Sequence, residues 1–174
     1  AADRMTQCAP PSQPPRPATA KPTPTASLRM PCELLTERRG DALVLSLSAP
    51  QTRNALTPQA SAAGVEALQT ATDDHSVRCI VLRGEGEHFC AGGDLDALRA
   101  RRELGDADGR AAQQQAVTQL GAFVAALRSC PKPVIAAVEG AAAGAGASLA
   151  LACDLIVAAD DARFVMSYGR IGLT

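Results

Sequence analysis

Two stretches of the chain set glycine between an apolar, strand-like run and the start of a helix. They are His88-Phe89-Cys90-Ala91-Gly92-Gly93-Asp94-Leu95 and Glu139-Gly140-Ala141-Ala142-Ala143-Gly144-Ala145-Gly146-Ala147-Ser148-Leu149. At such a junction the first N–H groups of the helix have no intrahelical acceptor, and the helix dipole favours negative charge. Glycine or alanine there lets a ligand come close to the backbone. Two junctions facing each other would aim two N–H donors at one developing oxyanion, the arrangement a thioester enolate requires. Taken singly, each stretch reads more readily as a packing device, because Gly-Gly turns and Ala/Gly-rich helices are common. Neither is a nucleotide motif: Leu149 stands where a third dinucleotide-loop glycine would be, and no Walker Lys-Ser/Thr pair follows.

The elements that must position these junctions alternate between β and α. Cys32–Glu37 and Ala42–Ser48 read as two strands around an Arg39-Gly40-Asp41 turn, with Leu43, Leu45 and Leu47 alternating. Thr57-Pro58 supplies an N-cap and a first-turn proline for a helix to about Thr70. Val77–Arg83 is a buried strand, and a further helix starts near Asp94. The charged, glycine-bearing segment Arg101–Arg110 reads as a mobile loop. Ala111–Arg128 is a helix with Val117, Leu120, Gly121, Val124 and Leu127 on one face, stopped by Pro131-Lys132-Pro133. Val134–Val138, Leu155–Ala158 and Arg163–Met166 are extended, with a small-residue helix at Ala145–Ala152. This alternation implies an α/β protein with parallel strands and crossover helices.

Composition narrows the function classes. The 174 residues suffice for one domain, with 47% hydrophobic and 20% charged residues. Aromatics are only 2%, so the core must come from Ala, Val, Leu and Ile. A net charge of −1 leaves no footprint for nucleic acid or an anionic membrane, and no run of eighteen apolar residues could span a bilayer. The six scattered cysteines form no CxxC, and only two histidines could complete a metal site. They read as reduced thiols of a cytoplasmic protein, several of them buried, with no metal and no redox cofactor. Eight of the twelve prolines fall in residues 1–31, which are expected to be a disordered leader before a domain at 32–174. An over-extended start, with translation beginning at Met30, accounts for the leader better than a transit peptide, whose amphipathic helix the prolines forbid.

Set side by side, the two junctions resemble the two signatures of the enoyl-CoA hydratase/isomerase (crotonase) family. The first is Phe89-Cys90-Ala91-Gly92-Gly93-Asp94-Leu95. The second is Lys132-Pro133-Val134-Ile135-Ala136-Ala137-Val138-Glu139-Gly140, running through Gly144-Ala145-Gly146 to Leu149-Ala150-Leu151-Ala152-Cys153-Asp154. Arg53-Asn54-Ala55-Leu56 is similar to the family's early CoA-contacting segment, and Phe164 with Gly169-Arg170-Ile171-Gly172-Leu173 to the segment after the second signature. The resemblance runs from about Met30 to Thr174. It implies a ClpP/crotonase-like spiral of ββα units, incomplete at the C-terminus, that binds an acyl-CoA thioester and needs no separate cofactor. It further implies oxyanion donors at the N–H groups of Gly93 and Ala145, a CoA path along Arg53, Ala55 and Leu56, and a thioester flanked by Ala91, Asp94 and Leu95. A homotrimer or hexamer is the family's assembly, and doubtful for this chain.

At two positions the chain departs from the hydratase pattern. Hydration needs paired acid and base groups, usually two carboxylates. Where the family's hydratases place them, this chain has Ser148 and Tyr168, whose hydroxyls are poor bases. The Tyr168, Gly169 and Ile171-Gly172-Leu173 context looks like the phenylacetate-degradation isomerases, which implies double-bond isomerisation with a base just beyond Thr174, in a chain cut short there. Glu139, Glu85 and Glu87 are poor substitutes. Two other readings stand beside it: a CoA-binding chain without chemistry, and a serine hydrolase using Ser148.

Overall fold

Leu45 and Leu47 alternate with smaller residues, and both are fully buried in the strand that organises the sheet. The structure is a computed structural model and describes residues 31–172. The proline-rich leader, apart from Pro31, and the last two residues lie outside the described residues. Strand β1 (Glu33–Arg39) turns at Gly40, whose positive φ of 59° suits glycine, into β2 (Ala42–Ser48), and the two pair antiparallel. Helix α1 (Pro58–Asp73) follows, its N-cap Thr57 accepting from the Ala60 N–H. It crosses over to β3 (Cys79–Gly84), parallel to β2.

Helices α2 (Leu95–Glu103) and α3 (Asp106–Ser129) lead to β4 (Val134–Val138). The short β5 (Ala141–Ala143), α4 (Ala145–Ala152), β6 (Leu155–Ala158) and β7 (Arg163–Val165) complete the order. The main sheet runs β1-β2-β3-β4-β6, parallel from β2 onward, while β5 pairs with β7 in a second, parallel sheet. One row across the main sheet, Leu45, Leu82 and Ala136, is wholly buried and ends on the half-exposed Ile156 at the β6 edge. Asp154 fixes the entry of β4 by accepting the Val134 N–H at 2.8 Å. No helix among the described residues is long and apolar enough to cross a membrane.

Two expectations need correction. The segment Arg101–Arg110 is not a loop: α2 and α3 occupy nearly all of it, broken only at Leu104-Gly105. Its charges complement helix dipoles, with Arg101 and Arg102 in the last turn of α2 and Asp106 and Asp108 in the first turn of α3. Its glycine Gly109 permits close helix contact, since a Cβ there would lie 2.3 Å from the Arg101 carbonyl oxygen. Second, the expected face of α3 holds in part: Leu127 is buried and Leu120 and Val124 pack against the core, but Val117 is exposed and Phe123, which that face omitted, is buried, its ring filling the space that Gly64 of α1 leaves open. The alanines at 141–143, to which no element had been assigned, form a strand whose partner, β7, lies beyond α4 and β6.

Candidate active site

After β3 the chain turns through Glu85–Glu87 and enters the interior at Phe89 and Cys90, both fully buried. The turn is held from outside by Asn54. Its amide oxygen accepts the Ala49 N–H at 2.8 Å, and its nitrogen donates to the Glu85 and His88 carbonyls at 2.9 and 2.7 Å. Asn54 is itself fully buried with φ 56°, a left-handed conformation asparagine tolerates better than most residues. Within the Arg53-Asn54-Ala55-Leu56 motif Asn54 had no role of its own in the sequence, because its partners Glu85 and His88 lie far along the chain.

The two glycine junctions do come together. Phe89 N–H donates to the Glu139 carbonyl at 2.8 Å, Cys90 N–H to Ala141 at 3.0 Å, and Ala143 N–H to Cys90 at 2.9 Å. This short parallel ladder leaves no room for side chains. A Cβ on Gly146 would lie 2.2 Å from the Cys90 carbonyl oxygen, and one on Gly92 would lie 2.7 Å from that of Ala143 and 3.4 Å from the Ala145 nitrogen. The other flank of the first junction is tied to the 53–56 segment, where Ala91 N–H donates to the Arg53 carbonyl and Leu56 N–H to that of Gly92.

Gly93 and Ala145 stand at this meeting point, and no hydrogen bond engages either N–H among the described residues. Both line a pocket of about 320 Å³ whose walls include Leu56, Ala91, Asp94, Leu95 and Tyr168. Asp94 is the N-cap of α2, its Oδ1 accepting the Asp96 and Ala97 N–H groups at 2.8 and 3.3 Å. The structure thus brings most of the expected site residues to one cavity. It does not bring Arg53 and Ala55 there: Arg53 is exposed at φ 55°, and it reaches the site only through its backbone carbonyl. The pocket wall also draws on α2 and α3 through Leu98, Arg101, Gln113 and Val117, of which Arg101 alone falls in the segment expected to be a loop.

Ser148 and Tyr168 face each other, hydroxyl to hydroxyl, at 2.8 Å. Ser148 therefore has a phenol as its partner, while His88 uses Nδ1 to accept the Ala141 N–H at 3.3 Å. Glu139 is exposed, and Glu85 sits 3.6 Å from Arg83. Burial pushes the Cys90 thiol up to about 12, and the Cys32 thiol up to about 11. Both remain protonated near neutrality.

Comparison with known proteins shows which family the chain belongs to. The enoyl-CoA hydratase/isomerase family model matches residues 37–174. The chain belongs to the enoyl-CoA hydratase/isomerase family. Among curated relatives it is 38% identical over 133 residues to 1,2-epoxyphenylacetyl-CoA isomerase of Escherichia coli K12, covering 75% of this chain and 49% of that protein. It is 37% identical over 141 residues to 2,3-dehydroadipyl-CoA hydratase of the same organism, covering 81% and 52%. The crystal structure of an enoyl-CoA hydratase from Polaromonas sp. JS666 matches at 49% identity and a TM-score of 0.77, covering 82% of this chain and 54% of that one. The α/β fold is thus the crotonase type expected, and the chain spans about half the length of the relatives it matches. A member of this family at near-equal distance from an isomerase and a hydratase takes its reaction type from neither name.

Proposed function

We propose that this chain forms the enolate-binding part of an acyl-CoA site, in which the Gly93 and Ala145 N–H groups hold the thioester oxygen. The supporting observation is a pair of N–H groups on one pocket wall, unengaged among the described residues: that of Ala145, the first residue of α4, and that of Gly93, just ahead of the α2 N-cap. Charge that develops on a thioester oxygen there meets two fixed dipoles, with no reorganisation at the moment of reaction. The same stabilisation acidifies the carbon next to the thioester. On this reading Ala91, Asp94 and Leu95 flank the thioester, and Arg53, Ala55 and Leu56 lie along the CoA path.

Double-bond isomerisation is the favoured reaction, because the Ser148–Tyr168 hydroxyl pair replaces two carboxylates that would position and ionise water. Ala145 is the first residue of α4, a position that accepts proline. Ala145→Pro removes one donor and keeps the helix, so it should lower turnover by about 10²–10³-fold. The assay offers a 3-enoyl-CoA and a 2-enoyl-CoA and follows product mass. Isomerisation leaves the mass unchanged, whereas a product heavier by one water as the main species would overturn the preference for isomerisation. Binding of both thioesters without any turnover would reduce the reading to acyl-CoA binding.

A further inference from the structure

The pocket does not end at the oxyanion donors. It continues between two helical stripes, Leu95, Leu98 and Arg101 on α2 and Gln113, Val117 and Leu120 on α3. Residues three apart on α2 share one face, and so do residues spaced by three and four on α3, so these stripes look across the pocket at each other. Leu95 and Val117 are each 51% exposed, large apolar surfaces that open onto the cavity instead of the core. Beside this apolar wall sits one cation. Arg101 lies seven residues beyond Asp94, about 10 Å further along the helix at about 1.5 Å per residue.

Arg101 is held but not neutralised. Its backbone packs against Gly109 of α3, and its Nη1 donates to the Gln113 side-chain oxygen at 2.9 Å. Among the described residues no carboxylate lies within ion-pair distance of it. Asp96 pairs with Arg99 at 2.9 Å, Asp106 lies 4.0 Å from Arg110, and the Asp94 oxygen Oδ1 caps α2. A half-buried guanidinium with spare donors, fixed by a neutral amide at the end of an apolar wall, is a receptor for a carboxylate. The adjoining groove adds Arg102 and Arg110 against one acid, Asp106, so cations outnumber anions on its lining.

We infer that Arg101, oriented by Gln113, selects acyl-CoA thioesters whose acyl chain ends in a carboxylate. The inference rests on the enolate-binding reading of the pocket, because it takes the thioester to lie at Gly93 and Ala145 and the chain to run along α2. Arg101 acts on which thioester binds, and the oxyanion donors act on what happens to it.

The test is calorimetric titration of the full chain with hexanoyl-CoA, adipyl-CoA and free CoA. The first two differ at the far end of the acyl chain, where adipyl-CoA carries a carboxylate. Wild-type protein is expected to bind adipyl-CoA about ten- to a hundredfold tighter than hexanoyl-CoA, as a charge-assisted hydrogen bond allows. Arg101→Met, which keeps the apolar stem, should erase that preference, bringing adipyl-CoA affinity down to that of hexanoyl-CoA. Arg101→Lys should retain part of it. Far-UV ellipticity checks that the variants keep their helices, and Gln113→Leu gives a second route, loosening the arginine without removing it. Equal wild-type affinity for the two thioesters would overturn the inference and leave the enolate site standing. So would an Arg101→Met loss of the same size for all three ligands, since that would place the guanidinium on a CoA phosphate. Failure of every ligand to bind would overturn the pocket reading together with the inference.

Discussion

The Asn54 side chain joins the 53–56 segment to the turn that delivers Phe89 and Cys90, using one acceptor and two short donor bonds. Substitution by alanine would strand the Ala49 N–H and the Glu85 and His88 carbonyls in a buried place, and a stranded polar group costs about 1–3 kcal/mol. Alanine is also less at ease at φ 56°. Asn54→Ala should therefore lose about 2–4 kcal/mol in urea unfolding, more than a surface change would. It should weaken acyl-CoA binding as well, because the Gly92-Gly93 junction loses its outer support. An unfolding midpoint within error of wild type would contradict this. The glycines of the site were legible in the sequence because a residue without a side chain next to a helix start has a local meaning. The role of Asn54 was not, since its partners Glu85 and His88 lie more than thirty positions away, and nothing nearby announces them. The pairing of Ser148 with Tyr168 was out of reach for the same reason, although both positions had been singled out.

Helices α1 and α3 meet where the Phe123 ring covers Gly64, and a Cβ on Gly64 would lie 2.4 Å from that ring. Phe123 is fully buried, so the ring cannot swing into solvent. Gly64→Ala should cost about 1–3 kcal/mol by overpacking. Phe123→Leu should cost a similar amount by leaving space. The double variant should be more stable than the sum of the two losses predicts, by about 0.5 kcal/mol or more, because each change relieves the other. Strict additivity in chemical denaturation would show that the helices do not touch as described. Element boundaries followed from local signals where those signals were backbone chemistry, as with Thr57-Pro58 opening α1 and the Lys132-Pro133 stop before β4. They failed between Arg101 and Arg110, where charge and glycine were read as solvation and freedom. Their actual work is dipole complementarity and close helix packing, and that reading becomes available only once the partner helix is known. The same failure kept Arg101 from being placed on a helix beside the pocket.

Across the whole molecule, burial ties stability to pH through thiols. The Cys90 and Cys153 thiols are pushed up to about 12 and the Cys32 thiol to about 11, in each case chiefly by loss of water around the charged form, against an ordinary value of 9.0. Below pH 9 both folded and unfolded chains keep these thiols protonated, so they add no pH dependence. Between pH 9 and about 12 the unfolded chain ionises and the folded chain does not, so stability falls as pH rises. Cys90→Ala should flatten that fall in urea midpoints taken across this window; an unchanged slope would mean that the thiol is not shielded. The main sheet raises a second question at its other end. Strand β6 is an edge, all four of its residues are exposed, and Leu155, Val157, Phe164 and Met166 form apolar surface that nothing among the described residues covers. An edge with unpaired backbone groups and apolar side chains pairs readily with another such edge. The 174-residue chain should therefore self-associate as its concentration rises, visible as growing mass in sedimentation velocity. Val157 is 65% exposed, so Val157→Lys costs little packing and places a charge on the edge. It should move the onset of association to at least about tenfold higher concentration while leaving the fold intact. Equal association by the two proteins would shift the contact elsewhere, to the open apolar wall around Leu95 and Val117, and occupation of that pocket by an acyl-CoA would then be what keeps the chain dispersed.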